Sequence, residues 1–214
     1  MDLAAARLNM VEGQVRPNRV TDARIIEAML RIPREALVPP ARRALAHADV
    51  PVPVGQGRAL LAPMVVARLV QEAAPRAGER ALVLPGLAAY GGLLLHALGL
   101  AVTALETPAL AAEAATRLAA AGGGPQLVAG PLADGWAAGA PFDVILVEGA
   151  VPGMPPALAA QLSEGGRLLA VVGSTAPRQA VRAVRIAGSV SARALFDAAA
   201  PRLPEFDAEA AFAL

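Results

Sequence analysis

Apolar residues fall into blocks whose lengths change character along the chain. From Arg80 onward, strand-length blocks alternate with helix-length ones. The pattern predicts strands over 81–84, 102–105, 125–129, 142–147 and 167–172, with helices over 88–98, 108–120 and 155–162 between them. Glycine-rich stops at 121–124 and 165–166 close two of these helices. Strands that are apolar on both faces and flanked by helices belong in a mainly parallel sheet, so the fold class is α/β. Residues 181–186 and 190–196 read differently, alternating small or apolar positions with Arg182, Arg185 and Arg193 around Gly188. They predict an antiparallel edge to the sheet, followed by a tail over 201–214 that lies back across the surface and carries Phe206 and Phe212.

The first third is an N-terminal helical addition. Its opening, through about residue 15, has only mediocre helical periodicity. Thr21-Asp22 caps a helix with Ile25, Ile26, Met29 and Leu30 on one side, ended by Pro33. A further short helix fits 41–46. Residues 49–63 (DVPVPVGQGRALLAP) alternate proline with valine and then place Gly55 and Gly57, which predicts an extended, turn-rich strip able to lie across the top of a neighbouring sheet. Pro63 starts the next helix, buried through Val65, Val66, Leu69 and Val70. The expected division is 1–75 for the helical addition and strip, and 76–214 for the α/β domain.

Composition narrows the function classes. Nineteen basic and 18 acidic residues give a net charge of +1, so no strong field draws in nucleic acid or an anionic membrane. There is no cysteine, hence no disulfide, thiolate ligand or cysteine nucleophile, and two histidines are too few for a typical zinc site. Neither a signal-like segment nor a membrane-length apolar run is evident, and the expected location is cytoplasmic. Hydrophobic residues make up 56% and aromatic residues 3%, so Ala, Leu and Val must fill the core.

Candidate chemistry gathers at the ends of the first two predicted strands of the sheet. Arg80 to Leu98 forms the opening strand–turn–helix unit, where a nucleotide-like ligand normally lies over the first turn. The turn holds Gly86, and Tyr90 begins the helix after it. Glu106 ends the next strand, about 20 residues beyond the first, where a carboxylate can accept the two hydroxyls of a ribose. Its bland alternative is a helix N-terminal charge next to Pro108. Asp143 suits capping or pairing at the sheet rim, and Glu148 suits either a ligand contact or a solvated edge. His96 reads as a packed helix residue, His47 stays ambiguous, and Trp136 favours closing the core over covering a ring. Arg58, between Gly57 and Ala59, reads as exposed and mobile.

Three segments in order resemble the protein-L-isoaspartate O-methyltransferase family. They are MVEGQVRPNRVTD with IIEAMLRIPREALVPP, which contains the Pro33-Arg34 pair; residues 51–69, similar to PLPIGxGQTISQPxxVAxM; and residues 140–173, similar to APFDxIxVTAAxxxxPxxLxxQLxxGGRLVxPVG. The resemblance implies a Rossmann-like class I methyltransferase fold. It also implies S-adenosylmethionine as cofactor and methyl transfer to the carboxylate of an isoaspartyl residue in a protein or peptide. Alignment of a carboxylate that needs no deprotonation could supply much of that catalysis. Carried over residue by residue, the cofactor positions that persist are Gly86, Tyr90 and Glu106.

Departures fall on the walls of the same cleft. The family's GTGSGY loop matches Pro85 to Tyr90, so its glycines become Pro85, Leu87 and Ala89, and the acidic residue two before it is Val83. The active-site serine matches Leu61, the threonine two before it Ala59, and the two glutamines Arg58 and Ala62. An adenine-holding aspartate appears as Pro131. No catalytic residue and no metal ligand is assigned. A methyltransferase of the family, a methyltransferase with another acceptor, and an inactive binding or scaffold protein on the same fold are the three readings that result.

Overall fold

The computed structural model describes residues 2–207; the end of the expected tail, 208–214 with Phe212, lies outside the described residues. Asp2 caps α1 (Leu3–Met10), its carboxylate accepting the Ala4 and Ala5 N–H groups. The helix runs on through a wider turn over Val11–Val15. Asp22 caps α2 (Ala23–Arg31) by accepting the Arg24 N–H, and Ile25, Ile26 and Met29 are buried as their spacing predicts. The short helix expected over 41–46 is a 3-10 turn, Pro40–Leu45. The strip becomes a hairpin of β1 (Val52–Gly55) and β2 (Arg58–Leu60). Its turn places Gly55, Gln56 and Gly57 at φ +103°, +54° and +72°, which explains why glycine stands at two of the three positions. Pro63 opens α3 (Pro63–Glu72), buried through Val65, Val66, Leu69 and Val70.

The α/β part follows as β3 (Arg80–Leu84), α4 (Tyr90–Ala97), β4 (Ala101–Glu106), α5 (Ala111–Ala120), β5 (Gln126–Ala129), β6 (Phe142–Val151), α6 (Pro156–Ala160), β7 (Leu162–Val172), β8 (Gln179–Ile186) and β9 (Ser189–Asp197). The seven strands stand in the order β5-β4-β3-β6-β7-β8-β9. Pairing is parallel from β5 through β7 and antiparallel for β8 and β9, as the pattern predicts. Alternate β3 residues feed the two faces: Ala81 and Val83 join the cluster containing α2, α3 and α4, while Leu82 and Leu84 join Leu132, Phe142, Leu158, Leu203 and Phe206. No helix among the described residues is long and apolar enough to cross a membrane.

Two strands depart from their predictions: β7 starts at Leu162, ahead of the expected 167 and through the Gly165-Gly166 stop, and β6 runs on at its far end. β6 continues past residue 147 to Val151, with an irregularity between Leu146 and Ala150 that holds Glu148 and Gly149 within the sheet. Ala150 and Val151 pair with Val171 and Val172 of β7, and the chain after β9 pairs at Ala150 as well. Ala150 N–H donates to the Pro201 carbonyl and Leu203 N–H to the Ala150 carbonyl, at 2.7 and 2.9 Å. Gly149 makes the approach possible, because a Cβ there would stand 2.5 Å from Leu203 Cγ. The described part of the tail therefore packs into the sheet end, with Leu203 and Phe206 buried.

Arg167 in β7 joins the end of α3 to the entry of β3. Its Nε donates to the Ala73 carbonyl at 2.8 Å, and its terminal nitrogens reach the two Glu79 oxygens at 2.8 and 3.0 Å. Burial alone would raise the Glu79 pKa, but these hydrogen bonds hold the carboxyl below its ordinary value. R167A should lower the unfolding free energy by about 2–4 kcal/mol in urea titrations, because it strands a carboxylate and a carbonyl. R167K should recover only part of that, since an ammonium cannot span the same acceptors.

Candidate functional site

β3 and β4 end side by side beneath the crevice in which open parallel sheets place their ligands. Pro85 leads into a 3-10 turn over Gly86–Ala88, and α4 starts at Tyr90. Gly86 is held tightly by the protein itself: a Cβ there would lie 2.8 Å from Leu127 Cδ1 and 3.2 Å from Glu106 Cβ. Leu87, Ala88, Ala89 and Tyr90 are all fully buried. Leu61, at the position where the family's serine is expected, is fully buried as well.

Glu106 is fully buried and lies within reach of five protein donors, among them the Thr107 hydroxyl at 3.4 Å from Oε1. Leu87 N–H donates to Oε2 at 3.0 Å and Thr107 N–H to Oε1 at 2.9 Å. Arg58 supplies the others, Nη2 to Oε1 at 2.9 Å and Nε to Oε2 at 3.4 Å. An ionised carboxylate offers about four acceptor directions, and these contacts take them up. Arg58 is therefore not the exposed, mobile cation that its glycine-flanked setting suggests. β2 aims it inward, it is 4% exposed, and its Nη2 also donates to Glu205 Oε1 at 2.6 Å. Burial works against its charge, but the two carboxylates more than compensate and hold its pKa above the ordinary value.

A second buried polar group lies under the start of α4. Arg34 donates to the carbonyls of Ala46 and Leu61, and its guanidinium carbon sits 4.9 Å from the centre of the Tyr90 ring. Burial lowers its pKa to about 10, so it remains charged at neutral pH. Glu148, expected at the strand's productive end, is 1% exposed and not on a solvated edge. Its Oε1 accepts the Gly92 N–H at 3.2 Å, while Oε2 has no partner among the described residues. Burial pushes its pKa up to about 8, against the opposing pull of the Gly91 and Gly92 N–H groups and Arg34. Burial likewise raises the Tyr90 phenol, whose hydroxyl also lacks a partner among the described residues.

The remaining candidates have structural settings. Asp143 accepts the Arg80 N–H and the Ser163 hydroxyl at the sheet rim, at 2.9 and 2.7 Å. Trp136 packs half-buried against the core beside Phe142. His96 is exposed at the end of α4, not packed inside, because the helix turns that position outward over the glycine stop. His47 is buried with Nε2 3.3 Å from Glu35, whose other oxygen accepts from Arg7 at 2.8 Å. No group of three or more His, Asp or Glu side chains suited to a metal ion occurs among the described residues. Glu205 was not singled out from the sequence, and no local signal marks a residue 147 positions from its partner.

Glu148 generates a pH prediction. The fold keeps this proton up to about pH 8, whereas the unfolded chain releases it near 4.5. Folded molecules bind the extra proton across that window, so stability falls as pH rises through it, by at most about 1.4 kcal/mol per pH unit. E148Q should flatten this slope and melt higher than the parent at about pH 8. Equal slopes for the two proteins in thermal melts would show that Glu148 is ionised in the fold.

Comparison with known proteins points the same way as the sheet order. A family profile described as protein-L-isoaspartate(D-aspartate) O-methyltransferase matches residues 7–199. The protein-L-isoaspartate O-methyltransferase of Methylorubrum populi is 40% identical over 182 residues, covering 85% of this chain and 86% of that one. Protein-L-isoaspartate O-methyltransferase 1 of Rhodopseudomonas palustris is 38% identical over 185 residues, covering 86% and 75%. Among solved structures, a protein-L-isoaspartate O-methyltransferase superposes with TM-score 0.79 at 19% identity, over 92% of this chain and 65% of that chain. A putative enzyme of the same name from Plasmodium falciparum, solved with S-adenosyl-L-homocysteine, gives TM-score 0.76 at 17% identity, over 96% and 99%. The chain belongs to the protein-L-isoaspartate(D-aspartate) O-methyltransferase family and has its Rossmann-like class I methyltransferase fold.

Proposed function

We propose that this family member keeps its cofactor cleft filled with its own side chains and works as a non-catalytic, methyltransferase-fold binding protein for a protein or peptide partner. The observation that carries this reading is the Arg58–Glu106 pair, in which the carboxylate available for a cofactor ribose already has its acceptor directions engaged. A ribose would have to displace a buried guanidinium from one of its two carboxylate partners, which is costly. Leu87 and Ala89 fill the turn where the family's glycines let the backbone approach the cofactor, and both are fully buried. Leu61 has no hydroxyl for an acceptor carboxylate, whose desolvation without a partner is unfavourable. S-adenosylmethionine therefore does not fit the arrangement of Gly86, Tyr90 and Glu106 described above.

A second reading is S-adenosylmethionine-dependent methyl transfer to a protein carboxylate. The 40% identity to the Methylorubrum populi protein across most of both chains favours it. It requires the cleft to open by movement of Arg58 and of the turn.

Isothermal calorimetry with S-adenosylmethionine and S-adenosylhomocysteine separates the two. The closed-cleft reading expects no binding heat below millimolar ligand and no methyl ester formed on an isoaspartyl peptide. Micromolar affinity for either ligand would overturn it in favour of the enzyme.

A further inference from the structure

Closure of the ribose region has a component that comes from far along the chain. After β9, the segment 198–207 returns to the sheet, pairing with Ala150 and burying Leu203 and Phe206. It carries Glu205 to the outer side of Arg58, opposite Glu106. One guanidinium nitrogen, Nη2, lies 2.9 Å from Glu106 Oε1 and 2.6 Å from Glu205 Oε1. Arg58's side chain is 2% exposed and Glu106's 0%, whereas Glu205's is 26% exposed. The stack therefore runs from a partly exposed Glu205 side chain, whose Oε2 is buried without a partner among the described residues, through a buried cation to a buried carboxylate.

We infer that Arg58 is a built-in occupant of the ribose subsite, latched there by Glu205, so that the C-terminal segment governs whether Glu106 can accept the vicinal diol of a nucleoside. The inference rests on the closed-cleft reading and names what holds the cleft closed. Arg58 donates to both oxygens of Glu106, as the two hydroxyls of a ribose would, and its charge makes those contacts stronger than neutral ones. Being tethered, it competes at the high effective concentration of an intramolecular ligand. Glu205 adds a second carboxylate that stabilises the cation only while Arg58 stays in place. Any partner that draws the segment away removes that support, because Glu205 is the member of the three that the segment carries.

Adenosine is the probe, because it carries the diol and lacks the methionine end. Calorimetry on the full chain should detect no binding by the parent and at least tenfold tighter adenosine binding by R58Q. The gain should be absent for 2',3'-dideoxyadenosine, which has no diol to offer Glu106. E205Q leaves both cleft residues in place and should give a smaller gain, about threefold or more, with the same diol dependence. Melting curves confirm folding, and if R58Q does not fold, E205Q alone decides the matter. Folded variants with no gain, or a gain shared equally by the dideoxynucleoside, would overturn the latch. Micromolar S-adenosylhomocysteine binding by the unmodified protein would instead overturn the closed-cleft reading, which separates the two failures.

Discussion

A carboxylate with no access to water must find every one of its hydrogen bonds inside the protein, and Glu106 imposes that condition on the centre of this fold. Two of its donors are backbone N–H groups, which fix the turn after β3 and the exit of β4 relative to one another. The guanidinium donors come from β2, on a hairpin that the sheet's hydrogen bonding does not include. One buried charge thus joins the N-terminal strip to the α/β sheet. Through Arg58 the same charge reaches the end of the described chain at Glu205.

This arrangement changes the chemical meaning of the crevice. In an open parallel sheet, the ends of the central strands usually leave unsatisfied polar groups for a ligand to complete. Here Glu106 is completed from within, and the Leu87 and Ala89 side chains of the turn after β3 are fully buried. Unsatisfied groups persist one strand over, at Glu148 and Tyr90. There β6 runs on beside β7 with Leu203 packed against Gly149, and a carboxyl group lies buried within that stretch. Burial of that group favours its neutral form, which gives the two carboxylates of the crevice different environments and different electrostatic roles.

Family membership and local chemistry are separate statements about this protein. Identity near 40% over most of the chain, together with the shared fold, follows from the apolar pattern, the cap residues and the glycine stops that build the sheet. The departures at Leu61, Leu87 and Ala89 cost the scaffold nothing, because each is an apolar residue in a fully buried position.

The amino-acid sequence by itself determined the α/β class, the parallel core with its antiparallel edge, the strip at 51–63 and the caps at Asp22 and Pro63. These depend on periodicity and on residues adjacent in the chain, where backbone geometry is decided locally. It also marked Gly86, Tyr90 and Glu106 as lying together at one sheet end. Tertiary structure alone decided what they face. A glycine-flanked arginine reads as exposed until a carboxylate 48 residues away and another 147 residues away are brought to the same nitrogen. Glu148 reads as a strand-end residue until pairing with β7 carries β6 beyond it, and His96 reads as buried until the helix turn directs it outward. Burial and charge pairing arise from contacts between distant segments, so no local pattern records them.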